Sequence, residues 1–254
     1  MDSDQKQKII IVMPAYHAEK TLKDTVDAIP TGCYDEIILV DDCSTDNTVE
    51  TARQLGLTVF THDVNKGYGG NQKLCYQEAL KAGADVVVML HPDNQYDAQL
   101  IPYFTGFVEK GVCDFMLGAR IRTRKEALHG GMPLYKYLSN RMLTLIMNVV
   151  LGQNLAEGHS GFRVYHRQVL ETIPFNDNAD DFSFDAELIT QAVYHGFKLG
   201  DAPMPVRYFS EASSISFKDS SIYGLKILST LGKYILSKWK IKKSPLFKRA
   251  SDPE

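Results

Sequence analysis

The sequence predicts an α/β fold with a mostly parallel central sheet flanked by helices. Three observations predict it. Apolar, β-branched runs alternate with segments of helical periodicity through the first half of the chain. The runs are continuously apolar, as in strands buried on both faces. The connections between them are short and marked by Gly, Pro, Asp and Asn.

Taken in order, residues 9–13 form a β-branched run that stops at Pro14 and reads as a buried strand. Residues 19–29 carry Leu22, Val26 and Ile29 at helical spacing, and Pro30, Thr31 and Gly32 break the chain. Residues 36–40 are a second strand ending at Asp41 and Asp42. Ser44 and Asp46 are N-cap residue types for a helix reaching Leu55. A third strand spans 58–61, a glycine-rich loop 65–70, a helix about 72–82, and the strongest strand 84–90. The second half alternates less. Residues 113–118 read as a strand, 137–151 and 184–195 as helices, 157–163 as a polar turn and 203–208 as a strand. With no repeat and no linker, the chain divides into a tail (1–7), one domain (8–215) and a C-terminal amphipathic helix with a basic tail (216–254).

Composition narrows the function. The 254 residues are 44% hydrophobic and 23% charged, as in a globular protein. Twenty-eight Lys and Arg against 31 Asp and Glu leave a formal net charge of -3, which argues against nucleic-acid binding by bulk charge. No apolar run approaches the ~18–20 residues of a membrane span. Cys33, Cys43, Cys75 and Cys113 include no C-x-x-C pair, so reduced thiols are expected. The polar N-terminus lacks a signal peptide's apolar segment. The expected location is the cytoplasm, with peripheral contact at the membrane face.

The chemistry-bearing residues follow the strands. In a parallel α/β sheet the ligand sits beyond the carboxyl ends of the strands. Residues 14–17, 41–44 and 91–95 all fall there. Two successive acids leaving a buried strand, Asp41 and Asp42, are costly without a partner. His91, Asp93 and Gln95 alternate, so an extended chain puts them on one side. One carboxylate with neutral donors suits Mg²⁺ or Mn²⁺ held jointly with a diphosphate; for His91 a surface-loop role stands equally open. The stretch Asn65-Lys66-Gly67-Tyr68-Gly69-Gly70 matches neither common phosphate-loop pattern, and close backbone packing is its plainer explanation.

Together, Pro14-Ala15-Tyr16, Asp41-Asp42-Cys43-Ser44-Thr45-Asp46, the glycine-rich stretch, Asp93-Asn94-Gln95 and Ser160-Gly161-Phe162-Arg163 occur in the order seen in family 2 glycosyltransferases of GT-A fold. The dolichyl-phosphate mannosyltransferase-like branch is the nearest in pattern. The resemblance covers about residues 8–210. It implies a nucleotide-diphosphate sugar donor, a divalent cation and transfer with inversion. It places Pro14, Ala15, Tyr16, Asp41 and Asp42 around the base and ribose. Asn65, Gly67, Pro92 and Arg120 complete the expected donor-binding set, and Asp93, Gln95 and His91 the metal set. Arg163, with Arg120 and Arg122, is expected near the acceptor or its phosphate. The family pattern is D-x-D where this chain has His91-Pro92-Asp93, and His17 and Ala18 also depart from it.

The acceptor decides what base is needed. A polyprenyl phosphate is already ionised near neutral pH and needs arginines to position it. A hydroxyl acceptor needs a carboxylate within hydrogen-bond reach, for which Glu157, Asp181 and Asp185 are the candidates. The cations between Arg120 and Lys125 favour the phosphate. Beyond them, Ile222, Leu225, Leu228, Leu231, Ile235 and Leu236 outline an apolar helix face. Lys238, Lys240, Lys242, Lys243, Lys248 and Arg249 follow, with the sole tryptophan, Trp239. That end fits either an anionic membrane surface or a helix packed on the core. Three functions remain open: transfer to a lipid phosphate, transfer to a soluble hydroxyl, and nucleotide-sugar binding without transfer.

Overall fold

The computed structural model describes residues 6–121, 123–129, 132–206 and 217–248, with 217–220 in backbone only. Arg122, Arg249, residues 1–5 of the tail and the expected strand from Arg207 onward lie outside the described residues. The first half runs β1 (Ile9–Ala15), α1 (Leu22–Asp27), β2 (Glu36–Asp41), α2 (Thr48–Gln54), β3 (Thr58–Thr61), α3 (Gly67–Lys81) and β4 (Val86–Met89). The second half runs α4 (Ile101–Glu109), β5 (Phe115–Ala119), α5 (Arg124–His129), α6 (Leu134–Leu151), β6 (Arg163–His166), α7 (Arg167–Thr172), α8 (Phe184–Tyr194), β7 (Leu199–Pro203) and α9 (Phe217–Lys238).

The strands form one seven-stranded sheet in the order β3-β2-β1-β4-β6-β5-β7. Only β6 runs antiparallel to its neighbours. Alternation along each central strand feeds two cores. Ile10, Val12, Val40 and Met89 pack under α3 and α8, and Ile11, Met13, Leu39 and Val88 pack under α1 and α4. Burying each such side chain stabilises the fold by about 1.5–3 kcal/mol. Two-sided burial is why these strands read as continuous apolar runs.

β1 continues through Pro14 to Ala15, two residues past the expected stop. Val12 points its backbone at β4, where its carbonyl accepts from Leu90 N at 3.1 Å. Pro14 points the same way but lies beyond the last β1–β4 pair, Val12–Met89, so its missing N–H breaks no ladder bond. α3 starts at Gly67, several residues before the expected 72, so the glycine-rich stretch opens a helix. β7 occupies 199–203, where a strand was expected over 203–208. At this sheet edge Leu199, Gly200, Asp201 and Ala202 are half-buried and Pro203 is exposed, and they give no apolar run. Past it, Val206 makes a single antiparallel bridge to Tyr96.

The single reversal matters most for the site. Because β6 is antiparallel, Arg163 at its start sits beside Met89 at the end of β4. The 157–163 turn thereby joins the ends of β1, β2, β4 and β5 along one sheet edge. α9 lies on α6 and α8, with Gly224 facing Leu143. No helix among the described residues is long and apolar enough to cross a membrane.

Candidate active site

At the end of β2 the two acids separate. Asp42 caps α3: its Oδ1 accepts from Lys66 N at 2.6 Å and its Oδ2 from Gly67 N at 2.9 Å. A carboxylate at a helix N-terminus satisfies orphan amides and faces the positive end of the helix dipole. Asn65 Nδ2 donates to the Asp42 carbonyl at 3.1 Å, which closes the same turn. Asp41 Oδ2 accepts from Ser44 N at 2.8 Å, while its Oδ1 is buried without a partner among the described residues. Asp41 is therefore the acid of the pair with acceptor capacity left.

Pro14 and Ala15 are buried, whereas Tyr16 is 55% exposed and stands over the edge next to His17. Pro92 is buried, and its carbonyl accepts from Thr21 Oγ1 at 2.6 Å. The glycines serve packing. The 179–180 backbone crosses α3, so a Cβ on Gly69 would lie 2.3 Å from the Ala179 carbonyl oxygen and one on Gly67 2.8 Å from that of Asp180. Gly67 also has φ +79°.

After β4, Asp93 is half-buried and its Oδ1 accepts from Gln95 N at 3.1 Å in a tight turn through Asn94, φ 54°. His91 Nε2 meets the Tyr68 hydroxyl at 3.2 Å. Burial holds the His91 imidazole below its ordinary pKa, against the opposing pull of Asp93 and Asp185. Among the described residues, no three His, Cys, Asp or Glu side chains gather as a metal cage. One carboxylate with neutral donors does fit a cation that takes its remaining oxygens from a diphosphate.

Two buried ion pairs anchor the 157–163 turn. Glu157, fully buried, accepts from Arg120 N at 2.7 Å, Arg120 Nε at 2.9 Å and Asn140 Nδ2 at 2.9 Å, and pairs with Arg120 Nη2. Burial alone would raise the Glu157 pKa, but the Arg120 charge and these hydrogen bonds outweigh it and hold the carboxyl below its ordinary range. Arg120 Nη2 also donates to the His159 carbonyl at 3.0 Å. His159 Nδ1 meets the Tyr223 hydroxyl of α9 at 3.0 Å, and burial pushes its pKa down to about 4.

The second pair is Arg163 with Asp185, Nη1 to Oδ1 3.2 Å. Arg163 has no exposed surface, so its expected place beside an acceptor phosphate is corrected. The guanidinium donates inward instead, to the carbonyls of Ser160 and Asp185 at 2.9 and 3.0 Å. Asp185 in turn accepts from Tyr68 Oη at 2.8 Å and Gln72 Nε2 at 3.2 Å. Asp181, the remaining candidate base, pairs with Lys226 and accepts from Ser183 Oγ at 2.6 Å.

Sequence reasoning missed Tyr68, Asn140 and Tyr96, whose hydroxyl accepts from Gly161 N at 2.8 Å. Only Tyr68 carried a signal, an aromatic set among glycines that pack against another loop.

Comparison with known proteins agrees with this geometry. The family model described as glycosyl transferase family 2 matches residues 10–174. A UDP-N-acetylglucosamine–dolichyl-phosphate N-acetylglucosaminyltransferase of Methanococcus voltae is 26% identical over 79% of this chain and 86% of its own. A dolichyl-phosphate hexose transferase of Haloferax volcanii is 27% identical over 78% of this chain and 82% of its own. Glucosyl-3-phosphoglycerate synthase of Mycobacterium tuberculosis, solved with Mn²⁺, UDP and glucosyl-3-phosphoglycerate, shares the fold. Its TM-score is 0.65 at 19% identity, over 94% of this chain and 82% of that one.

Proposed function

The chain belongs to glycosyl transferase family 2, and on that premise we propose that it moves a sugar from a nucleotide-diphosphate donor to a polyprenyl phosphate at a membrane surface. One observation carries the acceptor class. The three carboxylates that the sequence offers as bases for a hydroxyl are already committed: Glu157 to Arg120 and Asn140, Asp185 to Arg163 and Tyr68, and Asp181 to Lys226. A phosphate acceptor arrives ionised and needs no such base. The two dolichyl-phosphate relatives support the same class by their names.

In this reading Tyr16 and Asp41 Oδ1 meet the nucleoside, the oxygen accepting a hydrogen bond from it. Asp93, with Gln95 and His91, would hold Mg²⁺ or Mn²⁺ against the diphosphate, as the solved enzyme of this fold holds Mn²⁺ with UDP. The cation would supply positive charge to the leaving phosphate. An acceptor phosphate oxygen attacks the anomeric carbon, and the bond to the donor's β-phosphate oxygen breaks with its electron pair staying on the nucleoside diphosphate. Glu157 orients Arg120 toward that charge. Assay of sugar transfer from UDP- and GDP-sugars to a polyprenyl phosphate, against soluble sugars, tests the reading, with lipid product as the expected outcome.

The membrane face is read from two helices. On α6, Leu134, Leu138, Met142, Leu145 and Val149 recur every three or four residues and are all exposed, Val149 by 75%. On the adjoining α9, Leu225, Leu228 and Leu236 are exposed, and Trp239 and Ile241 follow. Lys238, Lys240, Lys242, Lys243 and Lys248 flank them. An apolar stripe beside a Trp-bearing basic end suits a bilayer with anionic headgroups. Co-sedimentation with phosphatidylglycerol vesicles should be at least about tenfold weaker in the triple variant Leu138→Gln, Leu145→Gln, Val149→Gln, since losing ~1.4 kcal/mol of apolar insertion suffices for that. Equal sedimentation of the two proteins would contradict the membrane face.

A further inference from the structure

Tyr68 sits at the second position of α3 with its hydroxyl between two acceptor-bearing groups, Asp185 Oδ2 at 2.8 Å and His91 Nε2 at 3.2 Å. A phenol has one hydrogen to give. Asp185, paired with Arg163 and already accepting from Gln72, is an ionised carboxylate that accepts only. The Tyr68 hydrogen therefore points at Asp185, and only a lone pair faces His91. A lone pair opposite Nε2 requires a hydrogen on Nε2. In the neutral ring this leaves Nδ1 with a bare electron pair.

The ring's position is built as well as its protonation. Gly161 lies against it, and a Cβ there would be 2.5 Å from Nε2 and 2.7 Å from Cδ2. Tyr68 stacks on the ring, with centroids 5.5 Å apart. Among the described contacts His91 has one hydrogen bond, the one to Tyr68, and none engages Nδ1.

We propose that Tyr68, held by the buried Arg163–Asp185 pair, locks His91 in its Nε2–H tautomer and so presents Nδ1 as a ligand to the divalent cation that the donor's diphosphate brings. The proposal rests on the donor-site reading above. Tyr68 is a positioning residue: it acts through His91. An imidazole in place of a carboxylate favours Mn²⁺ over Mg²⁺, because nitrogen donors suit the transition metal and the site has lost a negative charge. A partner that fixes a ligating histidine's tautomer typically contributes 10–100-fold to metal affinity.

The first test needs no metal, nucleotide or turnover. The chain is labelled with ¹⁵N-histidine, and the tautomer of each ring is read from long-range ¹H–¹⁵N correlations at neutral pH. His91 is assigned by its loss in His91→Gln. The expected result is a protonated Nε2 and an unprotonated Nδ1 in the wild type, and a mixture of tautomers in Tyr68→Phe. An Nδ1–H tautomer or a mixture in the wild type overturns the proposal. The second test is thermal stabilisation by Mn²⁺ or Mg²⁺ with UDP or GDP present. Tyr68→Phe should weaken Mn²⁺ by about tenfold or more and Mg²⁺ by less. Equal Mn²⁺ affinity in the two proteins overturns the ligand role. Absence of any Mn²⁺- or nucleotide-dependent stabilisation in the wild type with both UDP and GDP defeats the donor-site reading, and the ligand role with it, whatever the tautomer.

Discussion

Asp93→Asn should lower sugar transfer by about a hundredfold or more while leaving the fold intact. Asp93 is the carboxylate of the 91–95 turn after β4, and its removal deletes the formal negative charge that this turn offers a cation. Losing a single group that stabilises a developing charge commonly costs 10²–10³ in rate. The structural cost is small, because Asp93 accepts one local amide, from Gln95 at 3.1 Å, and an asparagine oxygen can accept it too. Melting should therefore shift little, by the equivalent of about 1 kcal/mol or less. Wild-type turnover in this variant, measured at saturating donor, would remove Asp93 from the chemistry and with it the cation reading.

The largest expected loss of stability comes from Asp185→Asn. The carboxylate neutralises Arg163, which has no exposed surface and whose Nη2 is already buried without a partner among the described residues. It also takes hydrogen bonds from Tyr68 and Gln72. Breaking a buried pair from one side leaves an uncompensated charge and typically costs 3–5 kcal/mol. That is a large share of the ~5–15 kcal/mol by which a domain is stable. Urea unfolding should show a loss of about 3 kcal/mol or more in Asp185→Asn. The double variant Asp185→Asn, Arg163→Met should regain part of it, because it removes the stranded charge. A change below about 1 kcal/mol in the single variant would mean that the pair does not carry this part of the core.

These two acids show where the sequence was legible. The strands β1 to β4 were readable because burial on both faces makes them continuous apolar runs. The site edge followed from them, since Asp41, Asp42 and Asp93 fall at strand ends. What those residues do was less readable, because it depends on partners far along the chain. Asp41 and Asp42 look equivalent in sequence, yet Asp42 is committed to the Lys66 and Gly67 amides and Asp41 Oδ1 is not. Arg163 at a motif position and Arg120 in the basic stretch look alike in sequence, yet one is interior and the other is held by Glu157. The antiparallel β6 decides this, and it is four residues long with no turn signal of its own. The polar edge strand β7 lacks an apolar run for the same reason that it tolerates exposure. The glycine-rich stretch resembled a ligand loop, and the crossing 179–180 backbone accounts for its small residues.

Arg120 links the acceptor side to the membrane reading. It is held by Glu157, and the adjacent His159 is tied to Tyr223 of α9, so the helix with the basic end also rests on the 157–163 turn.

The most direct measurement is transfer of labelled sugar in a two-phase assay. The protein is incubated with UDP- or GDP-sugars, Mn²⁺ and a polyprenyl phosphate in anionic vesicles, with soluble sugars as competing acceptors. The account predicts that label enters the organic phase as a glycosylated lipid phosphate with at least one donor, and that this product disappears in Asp93→Asn. Label confined to soluble sugars, or no lipid product with any donor, would contradict it.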